Sequence, residues 1–329
     1  MDNIVSTSRD VNDASLRLKD WILQTPVLES VLLNERVGAR VLVKAECLQH
    51  AGRFKIRGAL NRMLRLNHSE RGAGVVTFSS GNHGQAVALA AKWLGVSATV
   101  VMPEDAPNIK KHNARRFGAE VVLYNRYQQD REQIATELAN ERGAALVPPF
   151  DHSDVVAGQG TVGLELAAVA KAQGLELSAV YIPCSGGGLA AGSALALKSA
   201  FPECAIFAVE PEGYDDTARS LESGARQMIL GQRDTLCDAL MAPTPGAISF
   251  AINRRLLSGA CVVSDEEVLR AMALAATEFR LIVEPSGAAA LAAALQQPPS
   301  SGECVGVVLS GGNVDPGTWV QAIGRYQDI

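Results

Sequence analysis

The sequence predicts an α/β protein whose parallel sheets are covered by helices on both faces. Short β-branched runs alternate with longer Ala/Leu-rich amphipathic segments almost from end to end. Gly- and Ser-rich turns sit where a predicted strand feeds a helix, the junction at which parallel α/β proteins bind ligands. The length of 329 residues suggests two domains or one large one, and it suffices for a core without disulfide or metal staples.

Strands are expected over residues 40–45, 74–78, 98–102, 119–124, 179–183, 205–210, 260–264 and 304–309, each a short β-branched or apolar run. Between them, residues 83–95, 108–117, 126–142 and 188–200 read as helices. Ser264 and Glu267 form a capping box, so a further helix starts where the strand before it ends. There is no internal repeat and no linker rich in Pro, Gly and Ser; the turn at 298–302 is short.

Composition narrows the classes of function. Apolar residues make up 47% and charged residues 20%, an ordinary soluble globular profile. A net charge of −5, with no run of like charge, argues against a nucleic-acid partner. The first 20 residues are polar and of mixed charge, unlike a secretory signal. Apolar runs such as 288–295 fall short of the roughly 20 residues a bilayer span needs, so no membrane partner is expected. Cys47, Cys184, Cys204, Cys237, Cys261 and Cys304 lie far apart with no CxxC pair, and the five histidines are equally scattered. Reduced thiols in a cytoplasm are the expectation, rather than zinc or disulfides.

Four segments carry chemistry. In Pro183-Cys184-Ser185-Gly186-Gly187-Gly188-Leu189, three glycines allow close backbone approach, and the following helix offers unpaired N–H groups and its positive dipole end. That suits an anion, phosphate above all; neither the Walker nor the GxGxxG spacing fits well, and a bare flexible turn is the plain alternative. Ser79-Ser80-Gly81-Asn82-His83-Gly84 gathers small polar groups suited to a carboxylate, or equally a helix N-cap with spare polar residues. Ser310-Gly311-Gly312-Asn313 shares that ambiguity. Lys55, between apolar Phe54 and Ile56, is expected to be partly buried, which lowers an amine pKa and suits covalent catalysis.

Together these segments resemble the fold type II pyridoxal-phosphate enzymes, specifically their serine/threonine dehydratase and serine racemase branch. The family's lysine motif, Ser-Phe-Lys-x-Arg-Gly-Ala, is matched from Phe54 through Lys55, Arg57, Gly58 and Ala59. Its asparagine loop is matched from Ser79 to Ala86, and its phosphate cradle from Gly186 to Leu189, with Ser185 where four glycines are common. Ser310 to Asn313 match the loop that meets the pyridine nitrogen. The motifs run in family order over nearly the whole chain.

The resemblance implies a two-domain, tryptophan synthase β-like fold, with residues 1–73 and 152–329 as a large cofactor-binding domain and 74–151 as a small one. Pyridoxal 5'-phosphate would lie between them, beside Phe54 and joined to Lys55 as a Schiff base. Asn82 would bond the ring oxygen, while Ser185, Gly186, Gly187, Gly188 and Leu189 hold the phosphate and Ser310 faces the pyridine nitrogen. A hydroxyl there does not stabilise a protonated pyridinium, so loss of a β-leaving group is favoured over transamination. Ser79, Ser80, Gly81, Asn82 and His83 would bind the substrate. Ser80 would also serve the Cα face opposite Lys55, which makes side racemisation an implied activity. The implied reaction is elimination of water and ammonia from a β-hydroxy amino acid such as L-threonine or L-serine, leaving a 2-oxo acid. A homodimer follows from family habit. The stretch from Glu210 to Asp216 resembles the family's Mg²⁺ or Ca²⁺ site, with Glu210, Asp216 and the Tyr214 carbonyl as oxygen ligands; an acidic solvated loop is the plain alternative.

Two positions depart from the pattern. Arg53 replaces the family serine, and Ala239 follows Asp238 where glycine is usual. Residues two apart on an extended segment share a face, so Arg53 is expected to reach the Lys55 cleft and bind a second substrate carboxylate. Bracing a phosphate or a neighbouring carboxylate, or pointing to solvent, are its alternatives. A hydroxyaspartate or hydroxyectoine-derived substrate accordingly stands beside threonine. The short run after Ser310 leaves no room for an allosteric domain, so a catabolic or specialised role is expected. A catalytically silent sensor would not need Lys55, Ser80, Asn82 and Ser310 together. A nicotinamide dehydrogenase would need a GxGxxG turn that residues 185–192 do not supply.

Overall fold

The computed structural model describes residues 6–79, 81–106, 108–231, 234–296 and 302–325. Its strands are β1 (Val27–Leu28), β2 (Arg40–Ala45), β3 (Val75–Phe78), β4 (Ala98–Pro103), β5 (Glu120–Tyr124), β6 (Ala145–Leu146), β7 (Ala179–Pro183), β8 (Ala205–Pro211), β9 (Gly259–Val263) and β10 (Cys304–Leu309). They form two sheets, β1-β2-β10-β7-β8-β9 and β5-β4-β3-β6. Every pairing is parallel except β1 with β2. The α/β class read from the sequence is the class observed.

Register carries the functional consequence. Leu309 pairs with Ala45 and Pro183 with Val209, so the carboxyl ends of β2, β10, β7 and β8 finish along one edge. The turns after β2, β7 and β10 are thereby neighbours, although 46, 184 and 310 are far apart in sequence. Phe78 pairs with Val101 in the smaller sheet, whose carboxyl edge carries the turn that begins at Ser79.

Helix Ser153–Ala172 packs on helix Gly188–Ala200 at backbone contact, because Gly160 and Gly192 meet there. A Cβ on Gly160 would lie 2.6 Å from the Gly192 carbonyl, so a side chain would push back the helix that the Ser185–Gly187 turn enters. Helix Lys55–Leu64 shares a core with the smaller sheet, through Ile56, Ala59, Leu60 and Met63 against Val87 and Val100. Burying an aliphatic side chain of this kind contributes about 1.5–3 kcal/mol. Lys55 is thus mounted on a helix packed into the core beside the smaller sheet.

The sequence missed β1 and β6, whose two residues each are too few to show a period. It also started one helix too early, at 126. The helix begins at Arg131, because Asp130 accepts from the N–H groups of Glu132 and Gln133 and so caps it. The Ser264 capping box forms as expected. All six cysteines are free and buried. No helix among the described residues is long and apolar enough to cross a membrane.

Candidate active site

A cleft of about 640 Å³ opens where the carboxyl edges of the two sheets meet. The turn after β2 brings Arg53, Phe54 and Lys55 to it, and the turn after β3 brings Ser79, Gly81, Asn82 and His83. The turn after β7 brings Ser185 to Leu189. Ser80 lies outside the described residues.

Lys55 is the first residue of its helix and sits at the cleft floor, with Nζ donating to the Pro149 carbonyl at 2.8 Å. Burial, and after it the positive charge of Arg53, lower its pKa to about 7. A large fraction is therefore a neutral amine at neutral pH, able to attack a carbonyl or take a proton. Arg57, two residues on, points to the opposite side of the helix. There it is fully buried against Glu46 and Glu165, and it locks the helix in place below the site.

In the turn after β7, Gly187 has φ +90°, a conformation that glycine adopts without strain. It precedes the first turn of helix Gly188–Ala200, whose N–H groups have no intrahelical acceptor. Phe150 lies against Gly186, where any side chain on residue 186 would strike its ring. Ser249 Oγ donates to the Gly186 carbonyl at 2.5 Å and Asn253 Nδ2 to that of Gly187 at 3.3 Å, so the loop's carbonyls are held outward and its N–H groups are free for an anion. Ser185 Oγ accepts from the Ala242 N–H at 3.1 Å, which leaves its own proton to donate. Donors without acceptors in a cradle closed to side chains fit a phosphate group.

Asn82 opens helix Asn82–Leu94. Its Nδ2 faces Glu284 at 3.2 and 3.3 Å, and its Oδ1 accepts from Asn313 at 2.8 Å. His83 Nε2 lies 2.9 Å from the Val147 carbonyl, an acceptor, so Nε2 carries the proton and Nδ1 is bare. Burial, and then the Lys55 charge, push His83 down to about 3, so the ring is neutral and its Nδ1 is buried with no partner among the described residues.

Arg53 reaches the cleft, and its guanidinium is paired with the buried carboxylate of Glu284. Its Nη2 is 3.5 Å from Ser310 Oγ. Ser310 is fully buried and adds nothing to the cleft wall. Of the alternatives drawn from the sequence for Arg53, bracing a neighbouring carboxylate describes this geometry. Ala239 lines the cleft with φ outside the left-handed region and donates its N–H to Ser286 Oγ at 3.0 Å, so nothing there demands glycine.

Glu210 and Asp216 are both fully buried, which is not how an acidic solvated loop would sit. Burial, then the Asp216 charge, raise Glu210 to about 8, and burial raises Asp216 to about 7. Glu210 accepts from the N–H groups of Thr217 and Ala218 at 2.9 Å. Both Asp216 oxygens are buried with no hydrogen-bond partner among the described residues. No group of three or more His, Cys, Asp or Glu ligands occurs among those residues. Two hard oxygen donors, one of them orphaned, fit a cation completed by a backbone carbonyl.

Glu284, Arg131 and Phe150 went unseen in the sequence. Arg131 lies with its Cζ 5.7 Å from the centre of the Phe78 ring, beside Ser79. Its sequence signal was only that of a charged residue inside the helix expected over 126–142.

The comparisons with known proteins agree with this geometry. The family model described as "Pyridoxal-phosphate dependent enzyme" matches residues 18–311. The chain is 44% identical over 326 residues to the L-threo-3-hydroxyaspartate ammonia-lyase of Saccharomyces cerevisiae, covering 99% of this chain and 98% of that one. It is 40% identical over 316 residues to the serine racemase of Schizosaccharomyces pombe, covering 95% and 96%. The crystal structure of a threonine deaminase from T.th. superposes with a TM-score of 0.88 at 44% identity, over 93% of this chain and 98% of that one. Aligned nearly end to end with such relatives, and with a half-buried lysine beside a phosphate-shaped cradle, the chain belongs to the fold type II pyridoxal-phosphate dependent enzymes, as a lyase or racemase of that family.

Proposed function

We propose that the protein is an ammonia-lyase for an acidic β-hydroxy amino acid of the threo-3-hydroxyaspartate type, yielding a 2-oxo acid and ammonia. The observation that carries this is Arg131. Among the described cleft residues, Arg53 is neutralised by Glu284 and Arg126 by Asp105, His83 is neutral, and Lys55 is the cofactor lysine. Arg131 has no carboxylate partner among the described residues and is held over the Phe78 ring next to Ser79. A cation over an aromatic face, without a counter-ion, suits a second substrate carboxylate. The S. cerevisiae relative's name supports the same reading.

Pyridoxal phosphate, when bound, supplies an electron sink for charge developing at the substrate Cα. Lys55 holds it and, once released, takes the Cα proton as a neutral amine. The Ser79–Asn82 turn and the start of its helix bind the α-carboxylate. Pro149 and Phe150 line the cleft, the Pro149 carbonyl accepting from Lys55 Nζ. Ser80 stays in the proposal as the group on the opposite Cα face, on the strength of its motif. The proposal further includes residues 74–151 as a small domain, a divalent cation held by Glu210, Asp216 and the Tyr214 carbonyl, and a cytoplasmic homodimer.

The test compares kcat/KM for L-threo-3-hydroxyaspartate, L-serine and L-threonine in the wild type and in Arg131→Leu. Losing a charge-assisted pair should lower kcat/KM for the dicarboxylic substrate by about 10- to 100-fold. Serine turnover should change by no more than about threefold, since it offers that arginine no charge. A wild type that prefers threonine, or a variant that loses all three substrates equally, would sink the assignment.

A further inference from the structure

The segment that returns from the smaller sheet to helix Ser153–Ala172 meets the site at successive residues. Pro149 accepts from Lys55 Nζ, Phe150 lies against Gly186, and Asp151 reaches the start of helix Ala247–Leu256. That helix has Gly246 at its N-cap, a residue with no side chain to offer its first N–H groups. Asp151, 96 residues before Ala247 in sequence, meets them instead. Its Oδ2 accepts from the Ala247 N–H at 2.8 Å, and its Oδ1 from those of Ile248 at 2.8 Å and Ser249 at 3.3 Å. A Cβ on Gly246 would collide with the Asp151 carboxylate, so glycine there admits the cap. A carboxylate so placed satisfies orphaned donors and complements the helix dipole.

The helix that Asp151 caps also shapes the cradle. The Gly246 N–H and Ser249 Oγ both donate to the Gly186 carbonyl, at 3.1 and 2.5 Å, and Asn253, one turn further, donates to that of Gly187. In a planar trans peptide the N–H points opposite to the carbonyl before it. Pinning the carbonyls of Gly186 and Gly187 to the helix therefore turns the N–H groups of Gly187 and Gly188 away from it. Asp151 itself does not line the cleft, whereas its neighbour Phe150 does.

We propose that Asp151 is a positioning residue for the cofactor phosphate. By holding the start of helix Ala247–Leu256, it keeps Ser249 and Gly246 on the Gly186 carbonyl and so keeps the cradle's N–H groups aimed at the anion. This rests on the reading that residues 185–189 take the phosphate of pyridoxal phosphate. A free carboxylate would repel that phosphate, but the N–H groups of residues 247–249 and the positive helix end offset its charge. The influence of Asp151 is specific to the phosphate, and a cofactor that lacks one does not feel it.

The test titrates full-length apoprotein, in buffer without phosphate, with pyridoxal phosphate and with phosphate-free pyridoxal, following the absorbance of lysine-bound cofactor. The ³¹P resonance of the bound phosphate is read alongside. Asp151→Ala should weaken pyridoxal-phosphate binding about tenfold and move that resonance, while pyridoxal binding stays within about twofold. Asp151→Asn keeps an acceptor oxygen and the shape of the side chain, and should lose about threefold. Ser249→Ala should match Asp151→Ala, and the double variant should lose little more than either, because both act through one carbonyl. Unchanged pyridoxal-phosphate binding in Asp151→Ala, or equal losses for the two cofactors in both Asp151 variants, overturns the proposal. Tighter pyridoxal-phosphate binding in Asp151→Asn also overturns it, by showing that repulsion outweighs the cap. Losses that add fully in the double variant overturn the route through Gly186. A wild type that binds pyridoxal phosphate no more tightly than pyridoxal overturns the reading of the cradle, and this proposal with it.

Discussion

Arg53 and Arg57 flank Lys55 at two residues' distance, both buried and both paired with glutamate, yet their surroundings differ in kind. Every nitrogen of Arg57 is engaged. Nε and Nη2 form a two-pronged pair with Glu46 at 2.8 and 2.7 Å, and Nη1 reaches Glu165 at 2.6 Å and Thr161 Oγ1 at 3.0 Å. Lys44 completes the cluster by donating to Glu165 at 2.5 Å. Arg53 has Glu284 and a long contact to Ser310, and its Nε is buried with no hydrogen-bond partner among the described residues. A buried charge whose hydrogen bonds close on the protein is a strut. One whose hydrogen bonds stay open carries an unmet desolvation cost. Asp216, with both oxygens unpartnered among the described residues, falls in the second class.

Substituting the strut should give the largest effect. Arg57→Leu leaves Glu46 and Glu165 buried against one lysine, and it should cost about 3–5 kcal/mol of folding stability in urea denaturation. Arg53→Lys keeps its pair and should cost about 1 kcal/mol or less. Equal losses would erase the distinction between the two arginines.

The next effect belongs to the orphaned carboxylate. A cation bound about 100-fold above its Kd stabilises the native state by about 2.7 kcal/mol, so a chelator should lower the melting temperature of the wild type. Asp216→Asn should melt at the same temperature with or without chelator. Indifference of the wild type would mean that the orphaned oxygens mark no ion.

The smallest effect is a pH dependence at Lys55. Its folded pKa, about 7, lies below the free value of 10.5, so the neutral amine predominates above pH 7 and falls about tenfold per pH unit below it. The rate of pyridoxal-phosphate capture by the apoprotein, followed by stopped-flow absorbance, should rise with pH and level off above about 7. Because the Arg53 charge contributes to the depression, Arg53→Met should move that inflection upward. An inflection near 10 in the wild type would show a solvated lysine with no influence from Arg53.

Local signals explain what could be read in advance. Eight strands were legible because four to seven β-branched or apolar residues make a period that survives without context. The turn after β7 was legible because close backbone approach demands glycine, and Gly186 and Gly187 lie tightly against Phe150 and Asn253. Residues 126–130 were misread because helical composition there outweighed the single capping side chain of Asp130. Glu284 and Arg131 were missed because neither belongs to a motif. The Arg53–Glu284 contact spans 231 residues, and nothing near either residue announces the other.

By itself, the sequence determined the order of strands and helices, the turns that need glycine, and the segment that brings a lysine to the cleft. Each of these is a demand of backbone geometry or periodicity that a short window carries. The tertiary structure alone decided which buried charges would be satisfied. That depends on the parallel register that sets the turns after β2 and β10 side by side, and on whether the protein atoms packed there supply an acceptor for every donor. At Arg57 they do, and at Arg53 Nε they leave one place open.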